Sequence, residues 1–397
     1  MRVVLALCLA EVLTMIATFA FPAALPTFLA EWRLTSGEAG WIGGIFFLGY
    51  ALAVPVLVSL TDRIDARRVY LGGAAVIAAA AAGFAGLAEG FWTAMLFRTL
   101  GGAGLAATYM PGLRALVDRY HGPRQAHAIS FYTSSFSLGT GASFLVVGEL
   151  TARFGWRPSF WLAAGCAAVG VAIVATLPPV RPTPAEQPTR LLDFRPVLRN
   201  RQAMVWVLGY TAHCWELFAA RSWHVGFLAF VVAAHGGEPG GNGWLSPTTA
   251  ASVGAVVAMA ASIFGGDLAL RVGRRRLVLT AMLASGLGSL VLGWMAALPY
   301  TLVALVSILH SALIQIDSAA LTTGAVQSAE PSRRGATMAL HSLLGFTAGA
   351  LSPAITGLVL DAGGGGQSAL AWGLAYGAVG LGGLAGVAML MRGDREK

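Results

Sequence analysis

The chain has 397 residues, of which 56% are hydrophobic and only 11% charged, with a mean hydropathy of +0.71 and a formal net charge of +8. A soluble domain carries roughly 25% charged residues, so a water-soluble globular protein is excluded, and the 51 glycines lie within long apolar stretches rather than in a low-complexity linker. The polar stretch from Pro178 to Gln202 falls short of the roughly 50 residues a folded domain needs, so no extramembranous catalytic domain is expected, and the basic residues form no contiguous nucleic-acid-binding segment.

A membrane-spanning helix needs about 20 mostly apolar residues. Taken along the chain, that length predicts twelve spans, near 3–29, 39–60, 70–88, 91–113, 125–149, 158–177, 203–230, 247–266, 277–297, 299–325, 336–360 and 368–391. Glu11 interrupts the first apolar run, and Pro22 and Pro26 follow it where a cleavable leader would have small residues, so it reads as a span. Cys8, Cys166 and Cys214 each lie inside an apolar segment without C-x-x-C spacing, so neither a disulfide framework nor a zinc site is indicated, and no cofactor is expected.

The basic residues orient the spans. Of the 26 Lys and Arg, 21 lie at the termini or in the even-numbered connections, whereas only Arg33, Arg153 and Arg157 lie in the odd-numbered ones. The positive-inside rule therefore places both termini in the cytoplasm. Arginine almost without lysine, together with abundant alanine, points to a high-GC bacterial coding sequence, hence to an inner (cytoplasmic) membrane.

The chain also repeats itself. Val58-Ser59-Leu60-Thr61-Asp62-Arg63-Ile64-Asp65-Ala66-Arg67-Arg68 is echoed 208 residues later by Gly266-Asp267-Leu268-Ala269-Leu270-Arg271-Val272-Gly273-Arg274-Arg275-Arg276. Pro123-Arg124-Gln125-Ala126 is likewise echoed by Pro331-Ser332-Arg333-Arg334-Gly335-Ala336. A duplicated half is how many transporters build two states around one site. The expected organisation is a six-helix bundle over 1–177, a cytoplasmic linker over 178–202 and a second bundle over 203–397.

With these motifs the chain resembles the major facilitator superfamily, whose loop between helices 2 and 3 carries a G-x-L-A-D-R-x-G-R-R-R pattern, often echoed between helices 8 and 9. The first copy keeps the acid and the basics but has Val58 and Asp65 in place of the glycines; the second keeps Gly266 and Gly273 but has Leu270 in place of the acid. A helix 4 motif, R-x-x-x-G-x-G-x-A, is matched by Arg98, Gly102, Gly104 and Ala106. The helix 5 antiporter motif G-x-x-x-G-P-x-x-G-G is absent, since that region reads Ser137-Leu138-Gly139-Thr140-Gly141-Ala142-Ser143. The resemblance implies an all-α membrane fold of twelve helices in two pseudo-symmetric bundles, and a gating role for Asp62, Arg63, Arg67, Arg271, Arg274 and Arg275. Charges at helix ends suit that role through charge-assisted pairs.

Charges inside spans are costly and need a partner, water or a function. They fall on helix 1 (Glu11), helix 4 (Arg98), helix 7 (His213, Glu216, Arg221, His224) and helix 10 (His310, Asp317). In the family resembled, helices 1, 4, 7 and 10 line the central cavity. At 100° per residue, His213 and His224 share one line of helix 7, and Glu216 and Arg221 lie about 140° apart and should not pair. Arg98 and Arg221 share a depth and could clamp an anion by bidentate hydrogen bonds. Desolvated carboxylates suit proton carriage.

Arg98, Arg221, His213, Tyr210 and His310 are thus candidate substrate residues, with Glu216, Asp317 and Glu11 as candidate proton-coupling residues. His341, near the inner end of helix 11, reads as interfacial. Trp215 and Trp223 suit packing against lipid or neighbouring helices, and Pro22, Pro26, Pro111 and Pro353 should kink their helices.

The expected function is secondary active transport of a small organic or inorganic anion by alternating access, proton-coupled and monomeric in the lipid bilayer. Export of cationic or amphipathic compounds, with the carboxylates binding the substrate, is the alternative. No nucleotide-binding motif appears, nor any G-x-S-x-G or H-E-x-x-H constellation of an enzyme, and the duplicated loop favours alternating access over a channel.

Overall fold

A computed structural model describes residues 2–122, 124–181, 194–237, 245–330 and 333–392. Much of the expected 178–202 linker therefore lies outside the described residues, as do Pro123, Pro331 and Ser332 of the second echo. Sixteen α-helices follow in chain order: α1 Arg2–Met15, α2 Ala20–Ala23, α3 Leu25–Glu31, α4 Ser36–Leu60, α5 Ala66–Leu87, α6 Phe91–Arg119, α7 Gln125–Phe154, α8 Trp156–Ala175, α9 Arg195–Arg199, α10 Arg201–Ala234, α11 Pro247–Val272, α12 Arg274–Leu292, α13 Tyr300–Gln315, α14 Ser318–Ser328, α15 Arg334–Ala362 and α16 Ala369–Arg392. No strand occurs among the described residues. Lipid offers the backbone no hydrogen bonds, so a spanning helix must satisfy its own.

Nine helical stretches among the described residues are long and apolar enough to cross a membrane, α13 and α14 counting as one. The other three expected spans are also helical: α1 to α3 together, α6 and α7. In α6, Arg98, the glycines and Pro111 dilute the apolar run. Pro111 and Pro353 lie inside unbroken helices.

The chain divides into two compact units, Met1–Ala24 with Ile45–Pro188, and Leu25–Gly44 with Thr189–Lys397. In the first, α5 packs against α6 and α8, and α1 against α7 and α8. In the second, α10 packs against α15 and α16, α12 against α16 and α11 against α13. Small residues permit the close approaches, because lipid supplies no hydrophobic drive for association. A Cβ at Gly102 would run into the Phe46 carbonyl, and one at Gly265 into the Ile316 carbonyl.

Two spans are broken inside the protein. The first loses its helix at Ile16–Phe19, and the tenth turns at Ile316–Asp317, between α13 and α14. Pro22 explains part of the first break, because it has no N–H to give the carbonyl four residues back, that of Thr18.

Candidate functional site

In the first unit, side chains from two other helices hold the break in the first span. The Ser143 hydroxyl donates to the Ile16 carbonyl at 2.7 Å and accepts from the Phe19 N–H at 3.2 Å. Arg98 Nη1 donates to the Thr18 carbonyl at 2.9 Å and to that of Ala17 at 3.2 Å. Its guanidinium lies 4.3 Å from the centre of the Phe46 ring, and the residue is 3% exposed. The helix 4 arginine thus supplies the donor that Pro22 lacks.

Glu11, on α1, is fully buried. Its Oε2 lies 3.0 Å from the Tyr132 hydroxyl, which also reaches the carbonyls of Tyr109 at 2.9 Å and Thr108 at 3.2 Å. Glu11 Oε1 has no hydrogen-bond partner among the described residues. Tyr50, Tyr70 and Tyr109 also sit close enough to feel the Glu11 charge.

One phenol hydrogen cannot serve three acceptors. When Glu11 carries a proton it can donate to the phenol oxygen, and the phenol can donate onward to the Tyr109 carbonyl. When Glu11 is ionised it takes the phenol hydrogen, and two carbonyls are left facing an oxygen with nothing to give.

At the loop end of this unit, Asp62 pairs with Arg114 at 3.5 Å, and Arg114 with Asp118 at 2.8 Å. Asp65 caps α5 by accepting the Arg67 N–H at 3.0 Å, and it accepts Arg119 Nη2 at 2.7 Å and the Val180 N–H at 2.9 Å. Its partial burial works to raise the carboxyl's pKa, but these donors outweigh it and hold the group below the usual carboxylate range. Arg67 donates to the carbonyls of Val174 (3.1 Å) and Ala175 (2.5 Å) at the end of α8. Arg63 is exposed.

In the second unit, α10 and the α13–α14 segment face each other as an antiparallel run of polar pairs. His224 Nε2 lies 3.0 Å from Ser307 Oγ, Arg221 Nη2 donates to Gln315 Oε1 at 3.3 Å, and His213 Nδ1 lies 2.8 Å from Asp317 Oδ1. The turn at Ile316–Asp317 carries that carboxylate. Glu216 turns instead to α12, where Ser285 and Ser289 donate to its two oxygens at 2.7 and 2.8 Å. His310 Nε2 lies 3.6 Å from Glu216 and 2.9 Å from Ser289 Oγ. Glu216 and Arg221 thus meet different neighbours, as their angular separation on the helix requires.

Tyr210 stacks on His341 with ring centroids 3.7 Å apart, and on His213 at 5.8 Å. His341 is 2% exposed, not interfacial, because α15 packs along α10 and turns it inward. Both its ring nitrogens, and His213 Nε2, lack hydrogen-bond partners among the described residues. Trp223 is buried and donates to the Pro353 carbonyl at 2.9 Å, and Trp215 reaches the Ala378 carbonyl at 3.4 Å. In the repeated loop, Arg274 donates to Gln327 at 2.9 Å and Arg275 to the Leu390 carbonyl at 2.5 Å, while Arg271 is exposed.

Sequence reasoning missed Tyr132, Ser285, Ser289, Gln315 and His341. Ser285 and Ser289 did carry a signal, since residues four apart share a helix face; Tyr132 and His341 carried none, because nothing local says which helix they meet.

An all-helical chain with membrane-length apolar spans and buried charges satisfied from several helices is a multi-pass integral membrane protein. The sequence profile of the Major Facilitator Superfamily matches residues 7–340, and the chain belongs to that family. It is 22% identical to protein spinster homolog 1 of Homo sapiens over 57% of this chain and 45% of that protein. It is 26% identical to the MFS-type transporter YceJ of Bacillus subtilis over 49% of this chain and 50% of that one. The matched stretches thus span about half the length of these relatives. A protein called a benzoate transport protein in Acinetobacter baylyi is 23% identical over 41% of this chain and 34% of its own.

Among solved structures, a bacterial homolog of the human lysosomal transporter spinster, in an inward-facing and occupied conformation, shares the fold at TM-score 0.74 and 19% identity, over 99% of this chain and 96% of that one. The nucleoside transporter NupG does so at TM-score 0.75 and 13% identity, over 99% and 100%. These likenesses show that the chain has the fold of these proteins.

Proposed function

We propose that this chain is a proton-coupled porter of a small organic anion, working by alternating access between two six-helix halves, 1–177 and 203–397, with both termini in the cytoplasm of a bacterium. The observation that carries the proton coupling is the Glu11–Tyr132 contact, where three acceptors crowd one phenol hydrogen. That arrangement favours a protonated Glu11. Glu216, by contrast, is met by two hydroxyl donors, which suits an ionised carboxylate.

The anion reading rests on the second unit. Its two buried carboxylates are already engaged, Asp317 by His213 and Glu216 by two serines and His310. Arg221 brings a positive charge near Tyr210, whose ring stacks with those of His213 and His341. A planar carboxylate suits such a lining, and benzoate, named for one relative, is one. Arg98, engaged by the backbone of the first span, serves this reading as the support of that break.

A second reading, export of an organic cation, is favoured by Glu11 among four phenols, since a carboxylate with aromatic faces attracts cations. A thermal-shift series on the purified protein separates the two, because a ligand that binds only the folded state raises its melting temperature. Stabilisation by benzoate is expected, with Arg221→Ala raising its Kd roughly 10- to 100-fold, the worth of a charge-assisted hydrogen bond. Stabilisation by lipophilic cations alone, lost in Glu11→Gln, would establish the exporter instead.

A further inference from the structure

We propose that Arg63, Arg68 and Arg181 form a binding site for a phosphate-bearing anion at the loop end of the first unit. The three arginines line one cavity of about 420 Å³, together with Ile64, Asp65, Pro179 and Val180. That volume lies within the range of small-ligand sites, about 300–1,000 Å³. All three arginines are exposed, and none has a hydrogen bond or ion pair among the described residues.

The one carboxylate among the described residues of the cavity wall, Asp65, does not offset them. Asp65 is consumed by Arg119 Nη2, 2.7 Å from both of its oxygens, and by the N–H groups of Arg67 and Val180. The same contacts make the wall rigid. Val180 is pinned through its N–H, Arg119 Nε donates to the Pro178 carbonyl at 2.9 Å, and Arg67 holds the end of α8. Arg181 is therefore carried on an anchored segment and lines the same cavity as Arg63 and Arg68.

Three guanidiniums without counter-charge among the described residues repel one another around the hollow, and a phosphate relieves that repulsion while accepting bidentate hydrogen bonds. Ile64, Pro179 and Val180 supply an apolar side, so the phosphate can belong to the headgroup of an anionic lipid or to a free phosphate ion.

The repeat provides an internal control. At the offset of 208, Arg63 and Arg68 correspond to Arg271 and Arg276, but Asp65 corresponds to Gly273. The second loop therefore lacks the anchoring carboxylate, and it should not bind.

The test is native mass spectrometry of the full chain in detergent, titrated in one arm with phosphatidylglycerol and in the other with inorganic phosphate, the latter also followed by melting temperature. One phosphate-bearing ligand per chain is expected, with affinity at least tenfold lower in the Arg63→Gln, Arg68→Gln, Arg181→Gln triple variant and unchanged in Arg276→Gln. Loss confined to the lipid arm assigns the site to a headgroup, and loss in the phosphate arm assigns it to the free ion. Equal binding by wild type and triple variant, no binding in either arm, or an equal loss in Arg276→Gln overturns the site. Should the triple variant not reach the membrane, the three single variants, which leave Asp65 and Arg119 in place, are read by the same criteria.

Discussion

Tyr132 shows how one hydroxyl can report a protonation state. Its three contacts, with Glu11 and the carbonyls of Thr108 and Tyr109, share one phenol hydrogen, and a protonated Glu11 relieves the crowding by acting as donor in the first. Glu11→Gln fixes the uncharged form, so it is expected to retain substrate exchange in proteoliposomes and to lose accumulation driven by an imposed pH gradient; gradient-driven accumulation by that variant would remove Glu11 from the coupling path. Asp65 makes a different prediction. It is 7% exposed beside an Arg119 side chain that is 2% exposed, and Asp65→Asn leaves that guanidinium buried without its charge partner, a cost of about 3 kcal/mol. Because the folded carboxyl's pKa lies below its unfolded value, its stabilisation is full above that unfolded value, about 3.9, and fades as pH falls through the folded one. Acid-melting curves of wild type should therefore steepen below about pH 4, and those of Asp65→Asn should lack that component.

Interruptions matter more than lengths at the scale of helices. The break at Ile16–Phe19 is closed by Arg98 and Ser143, and the turn at Ile316–Asp317 presents a carboxylate to His213. Irregular backbone survives at membrane depth only where protein or a water-filled cavity satisfies it. Pro22 was readable as a cause of the first break, but its remedy was not, since Arg98 and Ser143 lie 80 and 124 residues along the chain from the carbonyl and N–H they meet. A second helix end is closed in the same manner: Asp361 accepts the N–H groups of Ser36 at 2.8 Å and Gly37 at 2.7 Å, satisfying the first turn of α4. Replacement of Asp361 by Ala should cost about 1 kcal/mol, as the loss of a cap does. It should also speed hydrogen exchange across the first turn of α4 while leaving Ala66–Leu87 unchanged; uniform exchange along both helices would show that the carboxylate is not a local cap.

Over the whole molecule, the 208-residue repeat is a chemical repeat. Arg67 and Arg275 occupy equivalent places, and each donates to carbonyls at the end of the last long helix of its own unit. Arg119 and Gln327 are equivalent too, yet the first meets Asp65 and the second Arg274, because Gly273 stands where the first copy has its carboxylate. Arg67→Ala should therefore raise hydrogen exchange at the end of α8 and spare that of α16, with Arg275→Ala doing the reverse; coupled effects at both ends would show that the two loops are not independent. Apolar length, arginine bias and the spacing of the repeat sufficed for the membrane class, the helices and the family, because each depends on residues close together in the chain and on a solvent that penalises any bare backbone or charge. Angular spacing on one helix also sufficed to separate Glu216 from Arg221. Which charges are engaged was decided only by tertiary packing: Arg98 went to a broken backbone, Glu216 to two serines and His341 to the face of Tyr210. A pairing of that kind joins residues distant in sequence across helices whose rotation and depth no local pattern fixes.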